Sequence, residues 1–246
     1  MVGVLSDIGN YRKVNQDYAD YYEDKFKKVY VMADGMGGHN AGEIASKIAV
    51  ETIIQQFKNH VELLNEEEML SNSIRLANRE IYEQALSSDE LSGMGTTITA
   101  CVVKKYKMVV ANVGDSSCYV LKKNGIFKIT KDHSLVQQLI DSGSITEQEA
   151  LKHPNKNIIT RALGTHDTVM VDMFHVDLSD VQKVLLCTDG LSNFVTNEEM
   201  YDLLWNNTNV DACSKLVELS KLKGSRDNVS IIVFGGECEN GWDDAR

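Results

Sequence analysis

Short apolar runs rich in β-branched residues alternate along the chain with longer stretches of helical periodicity. The short runs predict strands at residues 28–33, 96–104, 108–113, 118–122, 126–130, 169–176, 183–187 and 229–234. Lys123-Asn124-Gly125 separates two of them and predicts a hairpin, because Asn-Gly tolerates the positive φ of a tight turn. Consecutive strands this close in sequence predict antiparallel pairing.

Two longer stretches, residues 41–57 and 66–86, predict amphipathic helices because their apolar residues recur every three or four positions. Thr196 and Glu199 have the spacing of a capping box that opens a helix through residue 205, and a further helix is predicted at residues 212–222. Helices paired between runs of antiparallel strands predict an α+β fold, with sheet packed on sheet and helices outside.

Residues 133–167, called the flap segment below, interrupt this pattern. The segment is polar, contains the single proline, and has a second capping-box pattern at Thr146 and Glu149. We interpret it as a partly helical excursion at an edge of the sheets. No linker or fixed-period repeat divides the chain, which predicts one domain over residues 1–238 and a short tail at 239–246.

The formal net charge of −11 over 246 residues argues against nucleic acid or an anionic membrane as a partner, because like charges repel. The five cysteines are widely spaced and form no CxxC pair, which predicts free thiols in a reducing compartment. The N-terminus lacks a signal-peptide pattern, and no window approaches the roughly 18 apolar residues of a membrane span. The expected location is the cytoplasm.

Four aspartates lie at the ends of apolar strands: Asp34, Asp115 and Asp189 each follow one, and Asp227 precedes one. Neighbouring antiparallel strands share an edge, so these acids are expected to converge at one rim. Each acid alone is compatible with an ordinary turn or cap. Together, half-buried carboxylates repel one another and require cations, yet in sequence only Arg226 adjoins any of them.

Divalent metal is the cation that this pattern favours, because a set of oxygen ligands suits Mg²⁺ or Mn²⁺. Gly35, Gly37 and Gly38 follow Asp34 and leave room for ions and substrate. A glycine-rich turn between a strand and a helix also suits a phosphate cradle. The loop has no lysine and fits neither GxxxxGK[ST] nor GxGxxG, so nucleotide binding is the minor alternative.

Seven segments carry a more specific pattern: SDIGNYRKVNQD (6–17), ADGMGGHNAGE (33–43), GMGTT (93–97), NVGDS (112–116), TKDHS (130–134), CTDGLS (187–192) and SRDNVS (225–230). Together, in this order, they resemble the metal-dependent protein serine/threonine phosphatases of type 2C, in their compact bacterial form. The resemblance covers nearly the whole chain. It implies an α-β-β-α sandwich of two antiparallel sheets flanked by helix pairs, with the flap segment beside a metal centre.

The resemblance also implies a ligand set for two tightly bound Mn²⁺ or Mg²⁺ ions. Asp34 is expected to bridge both ions, Gly35 to lend its carbonyl to one, and Asp189 and Asp227 to hold the other. Asp115, with help from Asp189, is expected to form a third and weaker site.

Arg12 matches the arginine that grips the substrate phosphate in this family; outside the family, a solvated turn arginine is an equally good interpretation. Three further residues are expected to contact the metal ligands and not the ions: Gln16, Asp17 and Asn228. Gln16 stands where many relatives have a glutamate that bonds metal-bound water, and a neutral amide there is expected to soften metal affinity.

The implied reaction is hydrolysis of phosphoserine or phosphothreonine on proteins by a water activated between two metals, without a covalent enzyme intermediate. Met36 occupies the place of a histidine that members from higher organisms use as a proposed general acid. His39 is near in sequence, but the proton donor stays open.

The expected partners are phosphoprotein substrates, with the enzyme acting as a monomer that reverses a bacterial serine/threonine kinase. Two alternatives stay open. The first is a phosphatase of a transcription regulator, of the anti-sigma antagonist type. The second is a catalytically silent phosphoprotein-binding module, which the complete set of metal acids disfavours.

Overall fold

The computed structural model describes residues 1–37, 41–59, 65–150 and 152–236 and forms two antiparallel sheets. The first sheet has the strand order β1 (Gly3–Asp7), β11 (Val229–Gly235), β10 (Lys183–Cys187), β7 (Ser117–Lys122) and β8 (Gly125–Lys128). The second has the order β2 (Asp17–Glu23), β3 (Lys28–Met36), β5 (Ile98–Lys104), β6 (Lys107–Val113) and β9 (Asp172–Asp177), with β4 (Gly95–Thr96) paired to the end of β3.

The helices lie outside the two sheets. They are α1 (Ala41–Asn59), α2 (Glu66–Ser87), α3 (Leu135–Asp141), α4 (Glu147–Ala150), α5 (Asp189–Ser192), α6 (Asn197–Asn206) and α7 (Asn209–Leu222), with a 3₁₀ turn at Asp89–Leu91. Both predicted capping boxes are confirmed: Glu199 N donates to Thr196 Oγ1 at 3.4 Å, and Glu149 N donates to Thr146 Oγ1 at 3.3 Å. No helix within the described ranges is long and apolar enough to cross a membrane.

Strand periodicity separates the core into three layers. On β3, Val29 and Val31 pack against α1 and α2, whereas Tyr30 and Met32 point to the other sheet. The Tyr30 ring stacks on Phe234 of β11 with ring centroids 3.7 Å apart, which joins the two sheets. The predicted α-β-β-α sandwich is confirmed.

The first sheet is built in the same way. Leu185 and Cys187 of β10 pack beneath α6 and α7, whereas Val184 and Leu186 face the space between the sheets. The cysteines Cys101, Cys118, Cys187 and Cys213 are free and buried. Cys238 lies outside the described residues, as does the predicted tail.

The layer between the sheets becomes polar towards one end. At this end, inward-facing positions that continue the apolar rows of the strands hold fully buried polar residues. They are Thr99, Asn112, Ser116, Thr188 and Ser230. Their side chains are hydrogen-bonded to other side chains or to the backbone; for example, Thr99 Oγ1 donates to Asn112 Oδ1 at 2.6 Å, and Ser230 N donates to Thr188 Oγ1 at 3.0 Å. This polar end positions the site described below.

Several sequence predictions need correction. β1 and β2 were not predicted, β3 continues through Asp34 to Met36, and α7 begins at Asn209, where the Thr208 side chain caps it. The predicted hairpin joins β7 to β8 with Lys122 paired to Gly125, but the positive φ falls on Gly125 and not on Asn124. Among the described non-glycine residues only Lys105, in the β5–β6 turn, has a positive φ.

The flap segment contains α3 and α4 and is partly helical, as predicted. Its part that contains α3 and α4 is closed at the base, because Thr160 N donates to His133 O at 2.8 Å and Ser134 forms a β-bridge with Ile159. Asn78, buried on α2, anchors the far end through its side chain, which accepts from Gly164 N at 2.9 Å and donates to His166 O at 3.1 Å. The segment is therefore closed on itself and tied to α2.

Candidate metal centre

Asp34 lies on β3 at the polar end of the inter-sheet layer, two residues beyond the inward-facing Met32. Two hydrogen bonds to Thr97, directly before β5, hold its backbone: Asp34 N donates to Thr97 Oγ1 at 2.9 Å, and Thr97 N donates to Asp34 O at 2.9 Å. Asp34 is paired in register with Asp17 of β2. Burial, followed by the charges of Asp17 and Asp189, raises the pKa of Asp34 well above its ordinary value.

Asp17 supports this acid from the neighbouring strand. Its Oδ2 accepts a hydrogen bond from Thr188 Oγ1 at 3.0 Å, which links β2 to the end of β10. Burial raises the pKa of Asp17 to about 7, and hydrogen bonds from Ser230 and Thr188 only partly oppose that rise. Asp17 is thus a buried acid behind Asp34, consistent with its predicted supporting position.

Asp189 is the first residue of α5, directly after β10. Its Oδ2 accepts from Asn193 Nδ2 at 3.0 Å, while its Oδ1 is buried and has no hydrogen-bond partner. Burial, then the charge of Asp227, raises the pKa of Asp189 to about 6, against the lowering effect of Arg12. An acceptor oxygen without a donor in a buried place calls for a cation or water.

Asp115 lies in the turn between β6 and β7 and is only 8% exposed. Its Oδ1 is the second buried carboxylate oxygen without a partner. Burial, followed by the charge of Asp189, raises the pKa of Asp115 well above its ordinary value. The adjacent serine hydroxyls bond elsewhere: Ser116 Oγ pairs with Thr97 Oγ1 at 2.9 Å, and Ser117 Oγ donates to the backbone oxygen of Asp115 at 3.4 Å.

Asp227 precedes β11 and is bound by a cation from the other end of the chain. Arg12 Nη2 donates to Asp227 Oδ2 at 2.8 Å, and the Arg12 side chain is half exposed. This bond is the main cause that raises the pKa of Arg12. Asn228 N donates to Asp227 Oδ1 at 2.9 Å. The sequence predicted both residues for the site but not their pairing.

Asn228 and Gln16 fasten the N-terminal loop to the centre. Asn228 Nδ2 donates to Ile8 O at 2.9 Å and to Val14 O at 3.1 Å, and its Oδ1 accepts from Gln16 N at 2.9 Å. Gln16 O in turn accepts from Gly35 N at 3.0 Å. A methyl group on Gly35 would lie 2.0 Å from Gly42 O, so only glycine allows α1 to approach β3 this closely.

A cleft of about 220 Å³ opens over Asp115 and Asp189. Its other wall comes from the flap segment and the residues before it, including Asp132, Ser134, Gln137 and Lys156. Met36 lines a separate depression of about 320 Å³ with Thr160 and Arg161 of the flap segment. Gly38 and His39, which belong to the glycine loop, lie outside the described residues.

The residues fit hard divalent cations. Asp17 and Asp115 are buried and Asp34 and Asp189 are half-buried near them, so their charges repel unless protons or cations compensate them. Within the described ranges, no three side chains among His, Cys, Asp and Glu close on one point. Each ion would therefore be held by few side chains, with backbone oxygen and water completing its coordination, as Mg²⁺ prefers.

Sequence reasoning identified the four strand-end acids and missed the polar residues that hold them. Thr188 directly precedes Asp189, and a hydroxyl beside an acid at the end of an apolar run was the available signal, whereas Thr97 has no acid next to it in sequence. His133, whose Nδ1 accepts from Gly114 N at 3.0 Å, was noted only as part of a motif.

Comparisons with known proteins identify the family of this chain. The family model described as Protein phosphatase 2C matches residues 11–218. The serine/threonine phosphatase stp of Listeria welshimeri is 38% identical over 233 residues, which cover 93% of this chain and 92% of that protein. The crystal structure of serine/threonine phosphatase Stp1 from Staphylococcus aureus matches with a TM-score of 0.91 at 36% identity, covering 95% of this chain and 94% of that chain. The catalytic domain of the phosphatase PstP, in complex with 2 manganese ions, matches with a TM-score of 0.82 at 32% identity, covering 95% and 96%.

Proposed function

The chain belongs to the protein phosphatase 2C family and is a metal-dependent serine/threonine protein phosphatase, and we propose that the carboxylates at the polar end of its sandwich are the active site. The observation that carries this assignment is the pair of buried oxygens without partners, Asp115 Oδ1 and Asp189 Oδ1, in a cleft open to the surface. Buried acceptors of this kind are suited to metal.

We assign Asp34 as the carboxylate shared by two ions, with the Gly35 carbonyl beside it, and Asp189 and Asp227 as ligands of the second ion. When bound, Mn²⁺ or Mg²⁺ neutralises these charges and supplies an acidified water for attack on phosphorus. Asp17 is assigned to hold its neighbour Asp34 in place, because the two are paired in register. Gln16 and Asn228 fix the loop that carries Arg12.

Arg12 is the proposed clamp for the substrate phosphate. Its guanidinium is half exposed and is already held by Asp227 at 2.8 Å, so it is oriented before substrate arrives. A charged, planar donor group suits two phosphoryl oxygens at once and favours the charge that develops on them.

Asp115 and Asp189 are the proposed holders of a third, weaker ion. Both have one buried oxygen without a partner, and the charge of Asp189 raises the pKa of Asp115. The few protein ligands predict weak binding, so this ion is expected to matter for turnover and not for folding.

Phosphoproteins are the substrates, and we propose further that the enzyme reverses a bacterial serine/threonine kinase as a monomeric, cytoplasmic, single-domain protein. Buried free thiols at Cys101, Cys118, Cys187 and Cys213 support a reducing compartment. The proposed domain boundary at residue 238 falls outside the described residues.

Hydrolysis of a phosphoserine or phosphothreonine peptide tests the site. The intact protein is assayed with added Mn²⁺, without added metal and with excess chelator. Activity is expected only with metal and is expected to return when Mn²⁺ is restored after chelation. Turnover that survives complete chelation would overturn the proposed mechanism. The same assay with Asp189→Asn is expected to show little activity at any Mn²⁺ concentration.

A further inference from the structure

His133 is a buried histidine at the base of the flap segment, and the reaction described above makes no use of it. It exchanges two hydrogen bonds with one residue of the β6–β7 turn: Gly114 N donates to His133 Nδ1 at 3.0 Å, and His133 N donates to Gly114 O at 2.9 Å. Because Nδ1 accepts a hydrogen bond, the ring proton is on Nε2. His133 therefore grips Gly114 from both its side chain and its backbone.

The opposite edge of the ring faces a charged pair. Nε2 lies 3.2 Å from Asp172 Oδ2 without the geometry of a hydrogen bond, so the contact is electrostatic. Asp172 Oδ1 accepts from Arg161 Nη1 at 2.5 Å, which joins the start of β9 to the flap segment. Burial lowers the pKa of His133, which keeps the ring neutral near pH 7.

Gly114 has a conformation and a packing environment that leave little freedom. Its φ is 111°, and a methyl group built on it would lie 2.6 Å from Thr97 Cβ. Gly114 O also accepts from Asn112 Nδ2 at 3.2 Å. The residue that follows is Asp115, whose Oδ1 is buried without a partner. The hydrogen bonds that hold Gly114 therefore also restrict the backbone position from which the Asp115 carboxylate extends.

The same histidine holds the flap segment. His133 O accepts from Thr160 N at 2.8 Å, which closes the part of the segment that contains α3 and α4 at its base. His133 is therefore bound to the turn that carries Asp115, and its chain neighbours Asp132 and Ser134 line the cleft that faces that turn.

We propose that His133 is a positioning residue that sets the Asp115 carboxylate relative to the flap segment, so that weak metal binding at Asp115 depends on the hydrogen bond from Gly114 N to His133 Nδ1. This proposal rests on the proposed role of Asp115. It adds a dependence on a side chain that touches neither substrate nor ion.

Two substitutions distinguish the contact of His133 Nδ1 with Gly114 from the contact of Nε2 with Asp172. In His133→Asn the amide oxygen takes the place of Nδ1 and can still accept from Gly114 N. In His133→Gln the side chain reaches towards Asp172 and leaves Gly114 N without its acceptor. The expected result for His133→Gln is a kcat on phosphopeptide lowered about tenfold and a Mn²⁺ concentration for half-maximal activity raised about tenfold, with KM little changed. His133→Asn is expected to stay within about threefold of the parent in both quantities.

His175→Asn is the matched control, because His175 is an exposed histidine on β9 that bonds Glu67. Thermal melts of each metal-free variant check that the protein is folded. A merely structural role for His133 would lower activity in proportion to the folded fraction and would leave the Mn²⁺ midpoint unchanged. That result, or equal losses in the Asn and Gln variants, would overturn the proposal.

A double substitution links the effect to Asp115. If His133 acts through this carboxylate, His133→Gln is expected to cause no further loss of kcat on an Asp115→Asn background. Additive losses would overturn the positioning role. Full activity of Asp115→Asn alone would instead contradict the proposed role of Asp115. The assay of that variant with Mn²⁺ and with chelator would still test whether phosphatase activity requires metal.

Discussion

Asp17 and Asp34 are direct register partners across β2 and β3, so two acids lie side by side at the buried polar end of the sandwich. Burial is the largest cause that raises the pKa of each, to about 7 for Asp17 and well above the ordinary value for Asp34. In the metal-free protein the folded state therefore binds protons that the unfolded chain would release.

This arrangement predicts that the metal-free protein loses stability as the pH rises. The folded pKa values of about 7 for Asp17 and about 6 for Asp189 lie above the unfolded value of about 3.9. The stabilising contribution is complete below the unfolded pKa and is lost as the pH rises through the folded values, by about 1.4 kcal/mol per pH unit for each proton. We expect the melting temperature to fall by about 5–10 °C between about pH 5.5 and 8.

Saturating Mn²⁺ is expected to remove that fall, because metal binds the deprotonated acids. Asp17→Asn should flatten the metal-free pH profile, since the amide oxygen can still accept from Thr188 Oγ1 but does not titrate. Thermal melts across the pH range, with chelator and with Mn²⁺, give both measurements. A metal-free melting temperature that rises from about pH 5.5 to 8 would contradict the sign of the prediction.

Asp189→Asn is expected to abolish most of the stabilisation by metal. A ligand that binds only the folded state at about 100 times its Kd adds about 2.7 kcal/mol, or about 5–10 °C in a chain of this size. Without metal the variant is expected to melt higher than the parent, because one buried charge is gone. Asp202→Asn, an exposed change on α6, is the control and should keep the full Mn²⁺ shift. Equal shifts in Asp189→Asn and the parent would show that Asp189 is not a ligand.

Arg12→Ala is expected to lower kcat/KM on phosphopeptides by about ten- to hundredfold, because a hydrogen bond to a charged group contributes about 1.5–3 kcal/mol. Calorimetric Mn²⁺ binding should be retained. Lys13→Ala removes a charge from the adjacent exposed residue and is expected to be nearly silent. If both variants behave alike, Arg12 is an ordinary surface arginine.

Asp115→Asn is expected to fold normally, retain two tight ions in a calorimetric titration and lose most activity on phosphopeptides. Because Asp115 Oδ1 is buried without a hydrogen-bond partner, a capping role does not explain this oxygen. Asparagine and aspartate cap almost equally well, so a capping residue would tolerate the change. Activity within about twofold of the parent would favour the cap and count against the third ion.

The sequence predicted the central elements better than the edges of the sheets. The inner strands have continuous apolar runs because each is covered on two faces, and both long helices have one wide apolar face. The missed strands β1 and β2 are edge strands, and the errors in the bounds of β8 and β9 also fall on edges. An edge strand such as β2, DYADYYE, is half exposed and carries a weak pattern.

The convergence of the acids was predictable because antiparallel strands return to the same rim. Contacts between residues distant in sequence were not. Arg12 and Asp227 are 215 positions apart, and no local pattern connects them. The hydroxyl supports at Thr97 and Thr188 depend on which strands become neighbours, and that follows from the order of strands in the sheets.

The pairing of β1 with β11, from Gly3 opposite Val233 to Asp7 opposite Val229, has a consequence for biosynthesis. A ribosome adds about 5–20 residues per second, and among the described strands β1 has β11 as its one neighbour in the sheet, so β1 cannot pair until β11 has been made. Asp227 and Asn228 emerge just before that last strand. We therefore expect a growing chain to have no phosphatase activity until β11 has left the exit tunnel.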